Sequence, residues 1–153
     1  MNKPDCIFCK IVKGEIPSVK IWEDKKHIAF LDIFPNTKGM TLIIPKKHFD
    51  SDATDMPDKE FSDLMMATKK VAKMLEKGLK IKRVAMVMEG LGVNHVHIKL
   101  YPIHGLEEKF KETWAKKEIY FNSYEGYIST QLGPKKSPEE LNKIAEEIKR
   151  NLK

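Results

Sequence analysis

Residues 94–102 read Asn94-His95-Val96-His97-Ile98-Lys99-Leu100-Tyr101-Pro102, and this stretch decides the fold. Apolar and polar side chains alternate from His95 to Leu100, the period of a half-buried strand. His95, His97 and Lys99 therefore share one face, and Val96, Ile98 and Leu100 share the other. The apolar set can bury against a helix while the polar set lines a cleft. Three basic groups held in a row on one rigid element suit a phosphate ligand. A neutral imidazole is a nucleophile near pH 7, and an ammonium group can neutralise charge on a transferring phosphoryl group. Lys99 on the same face also pushes the pKa of His97 down and favours its neutral form. The alternation fits a solvent-facing basic strand equally well, and by itself it does not separate the two.

The flanking sequence supplies the other elements of an α+β domain. Residues 83–88 read as a strand leading into the loop Glu89-Gly90-Leu91-Gly92, and Pro102 is expected to stop the strand that begins at His95. Residues 19–22 and 27–33 read as strands around the polar turn Glu23-Asp24-Lys25-Lys26. Residues 40–44 form a third apolar strand, closed by Pro45. The strongest helix covers residues 57–77, where Phe61, Leu64, Met65, Val71, Ala72 and Leu75 build one apolar stripe and Gly78 reads as a C-terminal stop. Met65, Met66 and Met74 read as core filler. A short apolar segment, residues 7–12, ends at Gly14. Ser137-Pro138-Glu139-Glu140 is an N-cap, a proline at N1 and a glutamate at N3, and opens a helix running to about Leu152. The pattern expected is a five-stranded, mainly antiparallel sheet with the long helix packed across it and a C-terminal helical extension.

With 153 residues and no linker long enough to divide them, the chain is expected to be one domain. No apolar run reaches the length of a membrane span, and the N-terminus lacks the apolar stretch of a secretory signal, so a cytoplasmic protein is expected. The net charge of +6 favours an anionic ligand in a general way. Acidic residues are interleaved with the basic ones, which is not the concentrated stripe of a nucleic-acid footprint. Cys6 and Cys9 sit in one C-x-x-C, too close to staple a fold. In a cytosolic chain such a pair is half a metal site or a redox pair, and no thioredoxin-like βαβ pattern surrounds it.

The segment His95-Val96-His97-Ile98-Lys99-Leu100-Tyr101 resembles the motif of the histidine triad (HIT) family, His-φ-His-φ-His-φ-φ with φ hydrophobic. Three further stretches are similar to the family's signatures in the same order. They are Cys6-Ile7-Phe8-Cys9-Lys10-Ile11-Val12 to Pro17, Ala29-Phe30-Leu31-Asp32-Ile33, and Leu42-Ile43-Ile44-Pro45-Lys46-Lys47-His48. The resemblance covers roughly residues 5–103, leaving 104–153 as an extension. It implies that His97 is the nucleophile, forming a covalent nucleotidyl-imidazole intermediate, with His95 and Lys99 beside it. It implies that Asp32 hydrogen-bonds the ribose hydroxyls, that Phe8, Ile11, Phe30 and Ile33 wall the base, and that Gly92 and Val93 contact the phosphate. Phe8, Ile11, Phe30 and Ile33 also read as ordinary core residues.

The implied activity is hydrolysis or nucleotidyl transfer at the α-phosphate of a purine nucleotide conjugate, a dinucleoside polyphosphate or a nucleoside phosphoramidate, by a homodimer. In some bacterial members the C-x-x-C is completed by the histidine after Pro-Lys-x and the first triad histidine, which here implies a zinc site of Cys6, Cys9, His48 and His95. Two departures stand out. Lys99 replaces the third histidine, so a nucleotide-binding module with little turnover is the competing expectation. The loop before the motif is shorter than in the purine-phosphoramidase branch and lacks its Gln-Ser pair. In the extension, residues 104–114 admit a short charged helix. The aromatic-rich residues 120–130 fit an extended segment, whether lid, subunit contact or strand over the core.

Overall fold

The structure, a computed structural model, describes residues 3–106, 108–114, 119–126 and 131–152. Its elements run α1 (Ile7–Lys13), β1 (Lys20–Glu23), β2 (His27–Leu31), β3 (Thr41–Pro45), a 3-10 turn (Ala53–Asp55), α2 (Asp58–Leu79), β4 (Arg83–Val87), β5 (Ile98–Ile103) and α3 (Pro138–Arg150). The five strands form one antiparallel sheet in the order β1-β2-β3-β5-β4. The expected α+β class and sheet are both present.

Strand periodicity sorts the sheet into two unlike faces. Ala29, Leu31, Ile43, Val84, Val96, Ile98 and Leu100 bury against Leu64, Val71, Ala72 and Leu75 of α2, with Leu141, Ala145 and Ile148 of α3 completing the core. Fully burying each such aliphatic side chain contributes about 1.5–3 kcal/mol, so this face carries most of the stability. The opposite face presents Ile28, Phe30, Leu42 and Ile44 to Phe8 of α1, with Cys6, Ile11, Val12 and Val93 packed around them. The apolar half of the 95–100 alternation thus meets the long helix, as its pattern requires. The polar half lies on the α1 face.

Several boundaries differ from expectation for physical reasons. Gly78 does not stop α2, which continues to Leu79 and is capped by Lys80 in the left-handed region (φ 54°). Gly78 instead admits α3, since a Cβ there would lie 2.7 Å from Ile148 Cγ2 and 2.9 Å from its Cα. Pro102 does not end β5, where it pairs with Val84. Pairing with β3 has already ended at Leu100, and the Pro102 carbonyl accepts from Thr37 Oγ1 at 3.0 Å. The missing N–H points to that unpaired side and breaks no ladder bond. The ladder of β5 also starts later than expected, at Ile98, with His95 to His97 approaching it as irregular chain. Pro45 belongs to β3 as its last residue, opposite His27.

The C-terminal helix begins as its sequence dictates, with Ser137 and Glu140 forming a reciprocal capping box behind Pro138, and ends at Arg150. No helix occurs among the described residues of 104–114, and residues 120–126 form no strand. Residues 127–130, also in the stretch expected to be extended, lie outside the described residues. A strap of residues 131–136 returns to the sheet, where Gly133 N donates to the Phe34 carbonyl (3.0 Å) and Lys136 N to that of Ile33 (2.8 Å). Among the described residues no helix is long and apolar enough to cross a membrane.

Candidate active site and metal centre

Two adjoining centres occupy the α1 face. The first is built on His97, which is 4% exposed. Its Nδ1 lies 2.8 Å from the backbone carbonyl of His95. A carbonyl only accepts, so Nδ1 carries the hydrogen and Nε2 is the unprotonated nitrogen. Burial lowers the His97 pKa first of all, the His95 carbonyl opposes this, and Lys99 lowers it further, while Asp32 and Glu89 pull it back up. The expected influence of Lys99 is present but secondary to desolvation. The edge of Phe8 packs against the His97 ring with centroids 5.3 Å apart, and Phe30 packs on Phe8 at 5.9 Å.

The residues marked from sequence are not equally placed. Phe8, Ile11, Phe30 and Val93 gather in the apolar cluster beside His97. Asp32 is buried and accepts the Phe34 amide at 2.8 Å, which fixes the turn leaving β2. Ile33 is 45% exposed and outside that cluster, because the strand has ended and the alternation with it. Lys99 is buried, as are His95 and His97, so the polar face does not line an open cleft. A cleft does run between Lys3–Ile7 and Gly92–Asn94, with Gly92 and Val93 on its wall. The influence of Glu89 on His97 was not foreseen from sequence, where Glu89 read only as a loop residue.

The second centre joins Cys6, Cys9, His48 and His95, whose ligand atoms all lie within 4.8 Å of one another. His48 Nδ1 and His95 Nδ1 are 3.2 Å apart. Cys9 Sγ lies 3.4 Å from His48 Nδ1 and 3.7 Å from His95 Nδ1, and Cys6 Sγ lies 3.5 Å from His95 Nδ1. A tetrahedral ion with ordinary zinc–sulfur and zinc–nitrogen bonds requires about 3.6 Å for an S···N edge and about 3.3 Å for an N···N edge. The donor set therefore fits such an ion in identity, and these four edges fit it in spacing. His95 Nε2 donates to the Pro45 carbonyl at 2.9 Å, which turns Nδ1 toward the thiols. Burial pushes the His95 pKa down to about 4, opposed by the Pro45 carbonyl and reinforced by His48 and His97, so His95 is a neutral donor. Burial raises the Cys9 thiol, the penalty that a cation at the centre removes.

A five-stranded sheet carrying a buried His-x-His pair beside α1 defines a class, and comparison with known proteins agrees. The family model of the HIT domain matches residues 13–104, and the chain belongs to that family. It is 43% identical over 101 residues to an uncharacterized HIT-like protein of Methanocaldococcus jannaschii, covering 63% of this chain and 78% of the relative. It is 33% identical over 150 residues to an adenosine 5'-monophosphoramidase of Schizosaccharomyces pombe, covering 97% of this chain and 98% of the relative. Among solved structures, a Hit-like protein from Bartonella henselae superposes with TM-score 0.70 at 25% identity, covering 99% of this chain and 98% of the other. A histidine triad protein from Clostridium difficile gives TM-score 0.60 at 35% identity, covering 72% and 100%.

Proposed function

We propose that the chain is a hydrolase or nucleotidyl transferase acting on the α-phosphate of a nucleotide conjugate, through a covalent nucleotidyl-His97 intermediate. The observation that carries this reading is the hydrogen bond from His97 Nδ1 to the His95 carbonyl. It leaves Nε2 with a lone pair, and burial keeps the ring neutral. Nε2 attacks the α-phosphorus, the bond to the leaving amine or phosphate breaks with its electron pair passing to the leaving group, and a leaving amine takes a proton from solvent. Water then cleaves the phosphorus–nitrogen bond, releasing the nucleoside monophosphate and restoring neutral His97. The 33% identical adenosine 5'-monophosphoramidase supports adenosine phosphoramidate as a substrate, with dinucleoside polyphosphates as the second candidate.

Phe8, Ile11, Phe30 and Ile33 would wall the base, Asp32 would hold the ribose, and Gly92 and Val93 would meet the phosphate. Cys6, Cys9, His48 and His95 would hold a structural zinc ion that clips α1 to the sheet and fixes the chain leading to His97. Residues 1–153 would act as one domain within a homodimer. Phe110 (81% exposed), Trp114 and Tyr120 support a protein contact in the extension.

A second reading, nucleotide binding with little turnover, rests on Lys99, whose buried ammonium group replaces the third triad histidine. Mass spectrometry after brief mixing with adenosine phosphoramidate separates the two. A gain of one nucleotidyl group, abolished in His97→Ala, is expected. Nucleotide binding with neither adduct nor product would overturn the proposal in favour of the second reading.

A further inference from the structure

The metal centre has a feature outside its four ligands. Asp50 Oδ1 is 3.3 Å from His48 Nε2, 2.5 Å from Lys3 Nζ and 3.2 Å from Asn94 Nδ2. These three partners belong to the three chain segments that supply ligands. His48 is itself a ligand, Lys3 precedes Cys6 by three residues, and Asn94 directly precedes His95. Asn94 is held from its other end as well, its Oδ1 accepting Ser51 N at 2.8 Å.

A carboxylate accepts, so when the His48 ring carries one hydrogen it resides on Nε2, and Nδ1 keeps its lone pair toward Cys9 and His95. His95 reaches the same tautomer through the Pro45 carbonyl. The two imidazoles are thus oriented by different devices, one a buried backbone group and the other a carboxylate at the rim. The His48 side chain is 4% exposed and that of Asp50 68%.

We infer that Asp50 is a positioning residue for the metal centre, fixing the His48 tautomer and drawing the Lys3 and Asn94 segments around the ligands. The inference rests on the zinc reading above. An exposed Lys–Asp pair adds little to stability by its own attraction. The role of Asp50 is instead exerted through His48, because a carboxylate on the remote nitrogen orients a ligand imidazole and raises its basicity.

The test titrates the full chain, freed of metal, with Co2+ as probe, and follows thiolate–cobalt and d–d absorption with a competing chelator. Wild type is expected to show the bands of a tetrahedral two-sulfur, two-nitrogen site. Asp50→Ala should keep those bands with an affinity about 10–100-fold weaker, and Asp50→Asn, which still accepts but carries no charge, should fall between. The melting temperature of the metal-free forms should not change. Unchanged affinity in Asp50→Ala overturns the inference while leaving the zinc reading intact. A loss of affinity matched by an equal loss of metal-free stability also overturns it, since Asp50 would then be a general structural residue. Absence of a thiolate–cobalt band in wild type overturns the zinc reading, and the inference with it.

Discussion

His97 and Lys99 lie two residues apart on one face of the sheet, both less than a tenth exposed, and the lysine charge acts on the imidazole. The third triad position is therefore occupied by a group that can donate and neutralise but cannot accept a proton while charged. Replacing Lys99 with histidine should alter the rate of adduct formation by about tenfold or more, an effect on the order of 1.4 kcal/mol, and leave nucleotide affinity within about threefold. Single-turnover kinetics alongside equilibrium binding would check this. Equal rates in the two proteins would remove Lys99 from the chemistry.

Loss of the proposed zinc ion should loosen the α1 face and spare the α2 face, because its ligands would come from the N-terminal segment, the chain after β3 and the chain before β5. At a free zinc concentration 100-fold above Kd, binding adds about 2.7 kcal/mol. At roughly 2–4 °C per kcal/mol for a chain of this size, Tm should rise about 5–10 °C. Calorimetry with zinc and with a chelator tests the magnitude, and hydrogen exchange tests the place. Faster exchange in α2 than in α1 after chelation would contradict the clip.

Gly78→Ala should destabilise the protein even though alanine is the better helix former. The gain in propensity is about 1 kcal/mol. The new Cβ would meet Ile148 Cγ2 at 2.7 Å and, less forgivingly, the Ile148 Cα and carbonyl oxygen at 2.9 and 3.0 Å. Overpacking of this kind costs about 1–3 kcal/mol, so a net loss of up to about 2 kcal/mol is expected in urea unfolding. Truncating Ile148 in the same chain should not restore wild-type stability, because the backbone contacts remain.

Asp24 organises the β1–β2 turn through Oδ1, which accepts the amides of Lys26 (2.7 Å) and His27 (2.6 Å). Burial raises its pKa, but those two amides and His27 outweigh it and hold the carboxyl below the usual range. A depressed pKa contributes stability above the unfolded-state value and loses it as pH falls through the folded value. Asp24→Ala should therefore cost about 1 kcal/mol at neutral pH, reduced by solvent screening because the group is 42% exposed. The difference should shrink in acid below the folded pKa. A penalty that stayed constant with pH would assign the effect to the turn backbone alone.

How far the sequence discloses such features depends on how local their cause is. The alternation from His95 to Leu100 placed Val96, Ile98 and Leu100 in the core, because a strand's facing follows from its own period. The capping box at Ser137 and Glu140 was legible for the same reason, its two hydrogen bonds spanning three residues. The tetrad of Cys6, Cys9, His48 and His95 came from family resemblance rather than from the residues, since nothing local joins Cys6 to His95. Gly78 was misread because a glycine near a helix end serves as a stop or as a place of close approach, and only α3 decides which. The strand expected over residues 27–33 ends at Leu31, its last paired residue, so the exposure of Ile33 follows from where the ladder stops, which the β2 pattern alone does not mark. Asp50 left one faint trace, a carboxylate two residues after a proposed ligand histidine, but its partners Lys3 and Asn94 are 47 and 44 residues away.

The strap bears on what the extension can tolerate. Its grip is made by main-chain atoms, Gly133 N on Phe34 and Lys136 N on Ile33, and a Cβ at Gly133 would come 2.0 Å from the Pro35 oxygen. The chain that leaves the sheet at Ile103 is therefore moored again before α3 begins, whatever lies between. Closing a longer loop between two fixed moorings costs only about 0.6 kcal/mol for each doubling of its length. Foreign sequence inserted between those moorings should leave the α1 face and α3 where they are, which makes this stretch the natural place to graft a reporter or a recognition tag.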